Sequence, residues 1–222
     1  MRETPRASAA LPQGLARARR QRSRQTVVNW AVEVDEEGNR YWYYQGPRAE
    51  LAGQLHRDPA DGPAIELVDG SREWWFQGLP HRDPGQGPAV KRADGTCEWC
   101  LHGQWHREGS EPAVEEADGT RRWYVNGHLH REDGPAIEKA NGSYLWFRHG
   151  QWHREGPDPA IQEADGTRKW YVNGLLHREN GPAVENADGT CLWYRHGRYY
   201  RLTMTSDDSY SRYVDGHGPS SS

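Results

Sequence analysis

Aliphatic side chains are scarce in this chain: Leu, Ile, Val and Phe together account for 29 of 222 residues. With a mean hydropathy of -1.08, that excludes a deep aliphatic core. No run of about 18 apolar residues occurs, so no membrane-spanning helix is expected. The N-terminus carries arginine where a secretory leader needs aliphatics. Three cysteines, Cys97, Cys100 and Cys191, are too few for a disulfide framework and fit a reducing compartment; the expectation is a soluble, cytoplasmic protein. A strong charge of one sign is missing too, the net value being -4. What the chain does have is 11 Trp and 11 Tyr, too many rings for a disordered polymer and enough for a thin, aromatic, repeated core.

The repetition is visible by self-alignment. The segment "WYVNGHLHREDGPAIEKANG" at 123–142 returns as "WYVNGLLHRENGPAVENADG" at 170–189. Trp42, Trp74, Trp99, Trp123, Trp146, Trp170 and Trp193 each stand four residues before a glycine. From Trp74 onward the Trp is followed seven residues later by His81, His106, His130, His153 and His177, each with Arg next, while His56 heads the same column and the last copy ends in Tyr200-Arg201. The proline of each "PA" pair precedes the next Trp by 11 residues in every copy, whereas the distance from the Arg to that proline runs 6, 6, 5, 4, 5 and 4. All length variation is confined to one loop.

A rigid spacing beside an elastic loop has a physical cause. Between the proline and the Trp lies Asp-Gly or Asn-Gly, from Asp69-Gly70 to Asp188-Gly189, a pair that favours a tight hairpin turn with positive φ. A hairpin that gains one residue turns its side chains to the opposite face. The flanks read as strands, for example 136–140 going in and 143–148 coming out. Each repeat is therefore expected to be one hairpin followed by a surface "HRxxGP" loop, where proline is tolerated. Seven hairpins, about fourteen strands in all at about 4.8 Å each, predict an elongated array of antiparallel β-hairpins.

The aromatic four before a glycine, the "HREDGP" segment and the closing "DG" together resemble the MORN repeat, more closely its bacterial and viral variant form, over residues 30–200. His-Arg and Gly-Pro stand where the usual repeat has glycines. The resemblance implies an all-β, single-layer twisted meander that commonly works as an interaction or membrane-proximal scaffold.

A second period of 47 residues overlies the first: Trp99, Trp146 and Trp193 open "WCLHGQWHREG", "WFRHGQWHREG" and "WYRHGRYYR", while Trp123 and Trp170 open "WYVNG". The residue before the column His alternates accordingly, Trp105, Trp152 and Tyr199 against Leu129 and Leu176. If these aromatics project from the loop side they form a row about 20 Å apart, suited to an extended partner; the alternative is that Trp105 and Trp152 cover the turn glycines of the next hairpin. Together with Arg107, Arg131, Arg154 and Arg178 they are the candidate binding residues, and the Trp and His columns are read as structural.

Three segments are expected. Residues 1–27 form a disordered basic arm, with seven arginines against Glu3, a charge of +6 on a chain whose remainder carries -10; it is a solvated tail, a transit peptide or a nucleic-acid contact. Residues 28–202 are the repeat array. Residues 203–222 are a Ser-rich tail in which "YVDGHGP" at 213–219 resembles a repeat fragment able to cap the open edge.

Chemistry finds no foothold in the pattern. Cys97, Cys100, His102 and His106 have the spacing of a zinc site, but on one strand Cys97 and Cys100 point to opposite faces. Neighbouring His columns lie about 10 Å apart, too far for one ion. A catalytic site needs a unique, asymmetric set of groups, and here nearly every His, Asp and Glu recurs in each repeat. No metal or cofactor is expected. The expectation is a non-catalytic scaffold for a protein partner, with small-ligand or membrane-lipid binding and nucleic-acid association as alternatives.

Overall fold

The computed structural model describes residues 30–204 and 210–214, the side chains only as far as Tyr200. The arm expected over 1–27 and the end of the tail lie outside the described residues. Among the described residues the chain is all-β, an antiparallel meander whose main-sheet strands are hydrogen-bonded in chain order within each unit. It divides into two compact units, Arg2–His128 and Leu129–Ser222, each taken by itself below.

In the first unit Trp30–Val34 pairs with Arg40–Tyr44, and the meander continues through Ile65–Glu66, Arg72–Glu73, Val90–Lys91, Cys97–Glu98, Val114–Glu115 and Arg121–Arg122. In the second it runs through Ile137–Glu138, Tyr144–Leu145, Ile161–Gln162, Arg168–Lys169, Val184–Glu185, Cys191–Arg195, Arg198–Met204 and Tyr210–Val214. Tyr210–Val214 thus adds one strand beyond the repeats. Alternation recurs along the incoming strands: Ile65, Val90, Val114, Ile161 and Val184 are buried, while Glu66, Lys91, Glu115, Gln162 and Glu185 face outward, as the period of two requires; in Ile137–Glu138 both residues are half-buried.

Each repeat holds a second hairpin that the one-hairpin expectation lacks. The segment 143–148 is not one strand: Tyr144–Leu145 stays in the main sheet, and Phe147–Arg148 turns away to pair with Gln151–Trp152. The break falls at the Trp, whose N–H still reaches across the main sheet to the carbonyl of the following "PA" alanine, as in Trp99 to Ala113 and Trp146 to Ala160, both 2.8 Å, while its own carbonyl accepts the N–H of the column His of the second hairpin, His106 at 3.0 Å and His153 at 3.1 Å. Only the outermost copies keep an unbroken five-residue strand, Arg40–Tyr44 and Cys191–Arg195, each beside a neighbour of five residues or more. Cys97 and Cys100 consequently lie in different sheets rather than on one strand. The conclusion that they do not chelate together no longer rests on opposite faces of one strand.

The turn chemistry is redistributed as well. At the Asp-Gly turns only the glycine has positive φ, 95° at Gly70, and the loop is closed by Leu67 and Ser71: a three-residue turn with a glycine bulge. The two-residue turn with both φ positive is the one after the Trp, Asn126-Gly127 at 50° and 73°, occupied elsewhere by Gln77, His102, His149, Asn173 and His196. This explains the glycine four residues after each Trp, since the second turn position demands a conformation that side chains resist.

The core is a chain of small clusters. In the first, Trp42, Ala64, Ile65 and Trp75 are buried together. The "PA" alanines Ala64, Ala89, Ala113, Ala136, Ala160 and Ala183 have no exposed surface at all, so a methyl is the largest group that the space beside each Trp admits.

Candidate functional site

The Arg after each column His lies flat on the repeat Trp. The guanidinium carbon stands 3.9 Å from the ring centre for Arg82 on Trp74, Arg107 on Trp99 and Arg154 on Trp146, and 3.6 Å for Arg178 on Trp170. The same side chains donate to the carbonyl of the loop proline, Arg107 to Pro112 at 3.0 Å and Arg178 to Pro182 at 3.1 Å. This closes the elastic loop whatever its length. A Cβ on Gly87 or Gly181 would come within 3.1 Å of the guanidinium, so the "GP" glycine makes room for the cation. Where the outward strand residue is Glu, it joins the stack: Arg107 meets Glu115 at 3.4 Å, Arg131 meets Glu138 at 2.7 Å and Arg178 meets Glu185 at 2.6 Å. Gln162 breaks this rule, and Arg154 takes Asp158 of its own loop instead, at 3.1 Å.

The column histidines fasten one repeat to the next. In every one the ring Nδ1 accepts the backbone N–H of the first turn residue one repeat on: His56 from Gln77, His81 from His102, His106 from Asn126, His130 from His149, His153 from Asn173 and His177 from His196, at 3.1 to 3.2 Å. The proton of the neutral ring therefore sits on Nε2. Where the turn residue is itself His, the rings approach: His81–His102 at 4.4 Å, His130–His149 at 4.5 Å and His177–His196 at 4.3 Å between centres. Burial, and then the neighbouring imidazole, lower the basicity of His81, His130 and His177; burial alone does so for His56.

A parallel set of bonds runs along the Asp-Gly edge. Ser71 Oγ accepts from Ala93 N–H, Thr96 Oγ1 from Ala117, Ser143 Oγ from Ala164 and Thr167 Oγ1 from Ala187, at 2.9 to 3.2 Å. The turn aspartates accept from the residue two ahead, as Asp94 does from Thr96 at 2.8 Å, and these bonds hold Asp94, Asp118, Asp165 and Asp188 below the ordinary carboxylate range.

The candidate binding aromatics are half-buried. Trp105 lies against Tyr124, 4.8 Å between ring centres, and its carbonyl accepts the N–H of Gly127. Trp152 stacks on Phe147 at 3.9 Å, stands 5.8 Å from Tyr171, and its carbonyl accepts from Gly174. Tyr199 pairs across the strand with Tyr194, the rings 5.4 Å apart. Backbone and ring thus both engage the following hairpin in the two Trp copies.

In Leu129–Ser222 the loops enclose three adjoining grooves. One of about 470 Å³ runs from Arg131 to Glu155 over Trp146 and Phe147. The next, about 450 Å³, runs from His153 to Asn180 over Trp170 and Tyr171. A third, about 170 Å³, runs from Arg178 to Tyr200 over Trp193 and Tyr194. Each shares a wall with its neighbour, Arg154 and Glu155 between the first two, Arg178 and Glu179 between the last two.

In Arg2–His128 a wider groove of about 640 Å³ has Trp105, Val114 and Tyr124 in its lining together with Arg92, Glu98 and Arg122. Glu98, 8% exposed, was passed over in the sequence. Its signal was a mismatch within the 47-residue period, where Leu145 and Leu192 occupy its position. Cys100, in the aromatic column, is fully buried, and burial pushes its thiol pKa well up, which leaves it in the unreactive protonated form.

No family model matches this chain, and no curated protein matches it.

Proposed function

We propose that this chain is a non-catalytic, cytoplasmic repeat scaffold of MORN-like construction, and that it binds an extended protein partner along its loop edge. The observation that carries the reading is the succession of three grooves in Leu129–Ser222, aromatic-floored and sharing walls. A succession of aromatic-floored compartments suits a partner that repeats its own contact, and buried aromatic anchors carry most of the affinity in such interfaces. Trp152, against the Phe147 that lines the first groove, and Tyr199, against the Tyr194 that lines the third, are the proposed anchors of this unit, and Trp105, in the lining of the wider groove, that of the other.

Among the described residues, recurrent groups able to do acid-base work are occupied in holding the repeats together: the Nδ1 atoms of the column histidines, the guanidinium groups on Trp, and the turn carboxylates. That supports a scaffold over an enzyme, because a catalytic group must be poised for substrate. The test is affinity capture from the native cell with the full chain and with Trp152→Ala and Tyr199→Ala. A partner lost from the variants at unchanged melting temperature is the expected result. A capture identical to that of an unrelated β-repeat control removes the proposal.

A further inference from the structure

The groove around Glu98 is where the first copy of the 47-residue unit departs from the later ones. On the inner face of the main sheet, across from Val90 and Val114, the later copies place Leu145 and Leu192. A carboxylate in that position is costly unless paired, and this one is paired twice: with Arg92 at 3.0 Å and with the indole N–H of Trp105 at 2.9 Å. Two residues on, Cys100 stands where Phe147 and Tyr194 supply rings. With no ring there to stack on, Trp105 lies against Tyr124 instead, at an interplanar angle of 40°. The two substitutions act together: one removes a ring, the other holds the freed indole by its N–H beside a buried acid.

The charge of the result is negative. Asp94, Glu98, Glu116 and Asp118 line the groove with Arg92 and Arg122. Both arginines are committed, Arg92 to Glu98 and Arg122 to Glu116 at 2.7 Å. The uncompensated charge rests on Asp94 and Asp118, exposed at the rim. The half-buried ring of Trp105, backed by the buried Tyr124 and beside an acid, with two further carboxylates at the entrance, attracts a cation with an apolar stem and repels phosphate. The space is open rather than enclosed, which suits a side chain presented on a backbone.

We infer that this groove receives a lysine or arginine side chain from an extended segment of the partner protein, its stem on Trp105 and its charge beside Glu98, Asp94 and Asp118. The inference rests on the scaffold reading and adds the chemistry of the partner.

The full ¹⁵N-labelled chain titrated with the peptide Ac-GKGKGK-NH2 tests it, with Ac-GEGEGE-NH2 and free lysine amide as the other arms. The lysine peptide is expected to shift the Trp105 indole N–H resonance, to bind at least tenfold more tightly than either control, and to weaken steeply with added salt. Glu98→Leu, which installs the residue of the later copies, should lose at least tenfold in affinity with the melt unchanged. If that variant melts lower, Glu98→Gln, which keeps shape and removes charge, is expected to show the same loss. Equal response to the acidic peptide, or full affinity in Glu98→Gln, overturns the inference. Lysine amide binding as tightly as the peptide overturns the macromolecular occupant. A captured cellular partner that Glu98→Leu retains in full overturns this groove and leaves the scaffold standing. Lysine-peptide binding without any captured partner sustains the groove and removes the scaffold.

Discussion

Residues 92–129 and 139–176 are one unit written twice, and they agree where they fasten and differ where they face inward. Arg107 and Arg154 each sit 3.9 Å over their Trp. Trp123 and Trp170 each donate their indole N–H at 2.7 Å to a loop carbonyl, Ser110 in one copy and Pro157 in the other. His106 and His153 hold Asn126 and Asn173 at 3.1 and 3.2 Å. Against that constancy, the place of Glu98 is taken by Leu145 and that of Cys100 by Phe147. The basic residue of the turn follows its acid: Arg92 goes to Glu98, while Lys139, with only a leucine at that place, goes to Glu163 at 3.3 Å. The difference teaches that the backbone fasteners set the architecture and leave the inner face free to change its chemistry.

The largest expected asymmetry is at the ring that one copy lacks. Phe147→Ala should cost about 3 to 5 kcal/mol, as deletion of a buried ring does, and Cys100→Ala only about 1 kcal/mol. Chemical denaturation of the two variants measures the gap, and equal losses would mean that Cys100 is packed as tightly as the ring it replaces. Next come the fasteners, where the copies should agree. His106→Ala and His153→Ala each strand a turn N–H and should each cost about 1 to 3 kcal/mol; a difference above 1 kcal/mol between them would show that the joints are not equivalent.

Acid should separate the two flavours of joint. In His81, His130 and His177 the folded ring is a weaker base than in the unfolded chain, so the unfolded state binds more protons just below the ordinary value of about 6.5. Stability is therefore full above about pH 6.5 and falls as pH drops through the lowered folded values. Protonation also removes the Nδ1 lone pair that holds the next turn. The melting temperature at pH 5 is expected below that at pH 7.5, and His149→Asn, which relieves the neighbouring imidazole of His130, should reduce the drop. The smallest effect is expected from the converse change. Asn126→His puts an imidazole where His149 already sits at the same φ, and should alter stability at neutral pH by no more than about 0.5 kcal/mol while making that joint more acid-sensitive.

Much of this was legible in the sequence. The fixed distance of 11 residues from proline to Trp announces a rigid hairpin, and the variable Arg-to-proline distance locates the loop, because spacing records which segments tolerate insertion. The second hairpin was not legible. It is made of two-residue strands, too short to show a period, and its turn is written Gln-Gly or His-Gly in four of six described copies, pairs without the usual preference for positive φ. The site was half visible: Trp105 and Trp152 stood out as surplus aromatics, but Arg107, Arg154 and Arg178 turn inward onto Trp, an engagement between residues eight apart that no strand pattern encodes. Glu98 looked like one acid among many, since its burial depends on which face the main sheet turns inward.

The joints between repeats also have a direction. Three recurrent bonds across each joint take their N–H from the later repeat: the turn residue to His Nδ1, the turn glycine to the carbonyl before that His, and the "AD" alanine to the Ser or Thr hydroxyl. Two are given forward, the Trp N–H and the Arg N–H, as from Trp99 to Ala113 and from Arg107 to Tyr124. Cutting the array between two repeats therefore leaves unequal ends: of these donors the C-terminal piece keeps three stranded, the N-terminal piece two. Acceptors with two lone pairs, or a ring able to change tautomer, tolerate such loss better than a lone N–H. Shortening the protein from its beginning should thus be harder than shortening it from its end, so that a growing chain can add repeats onto a finished edge as each new one supplies its own donors.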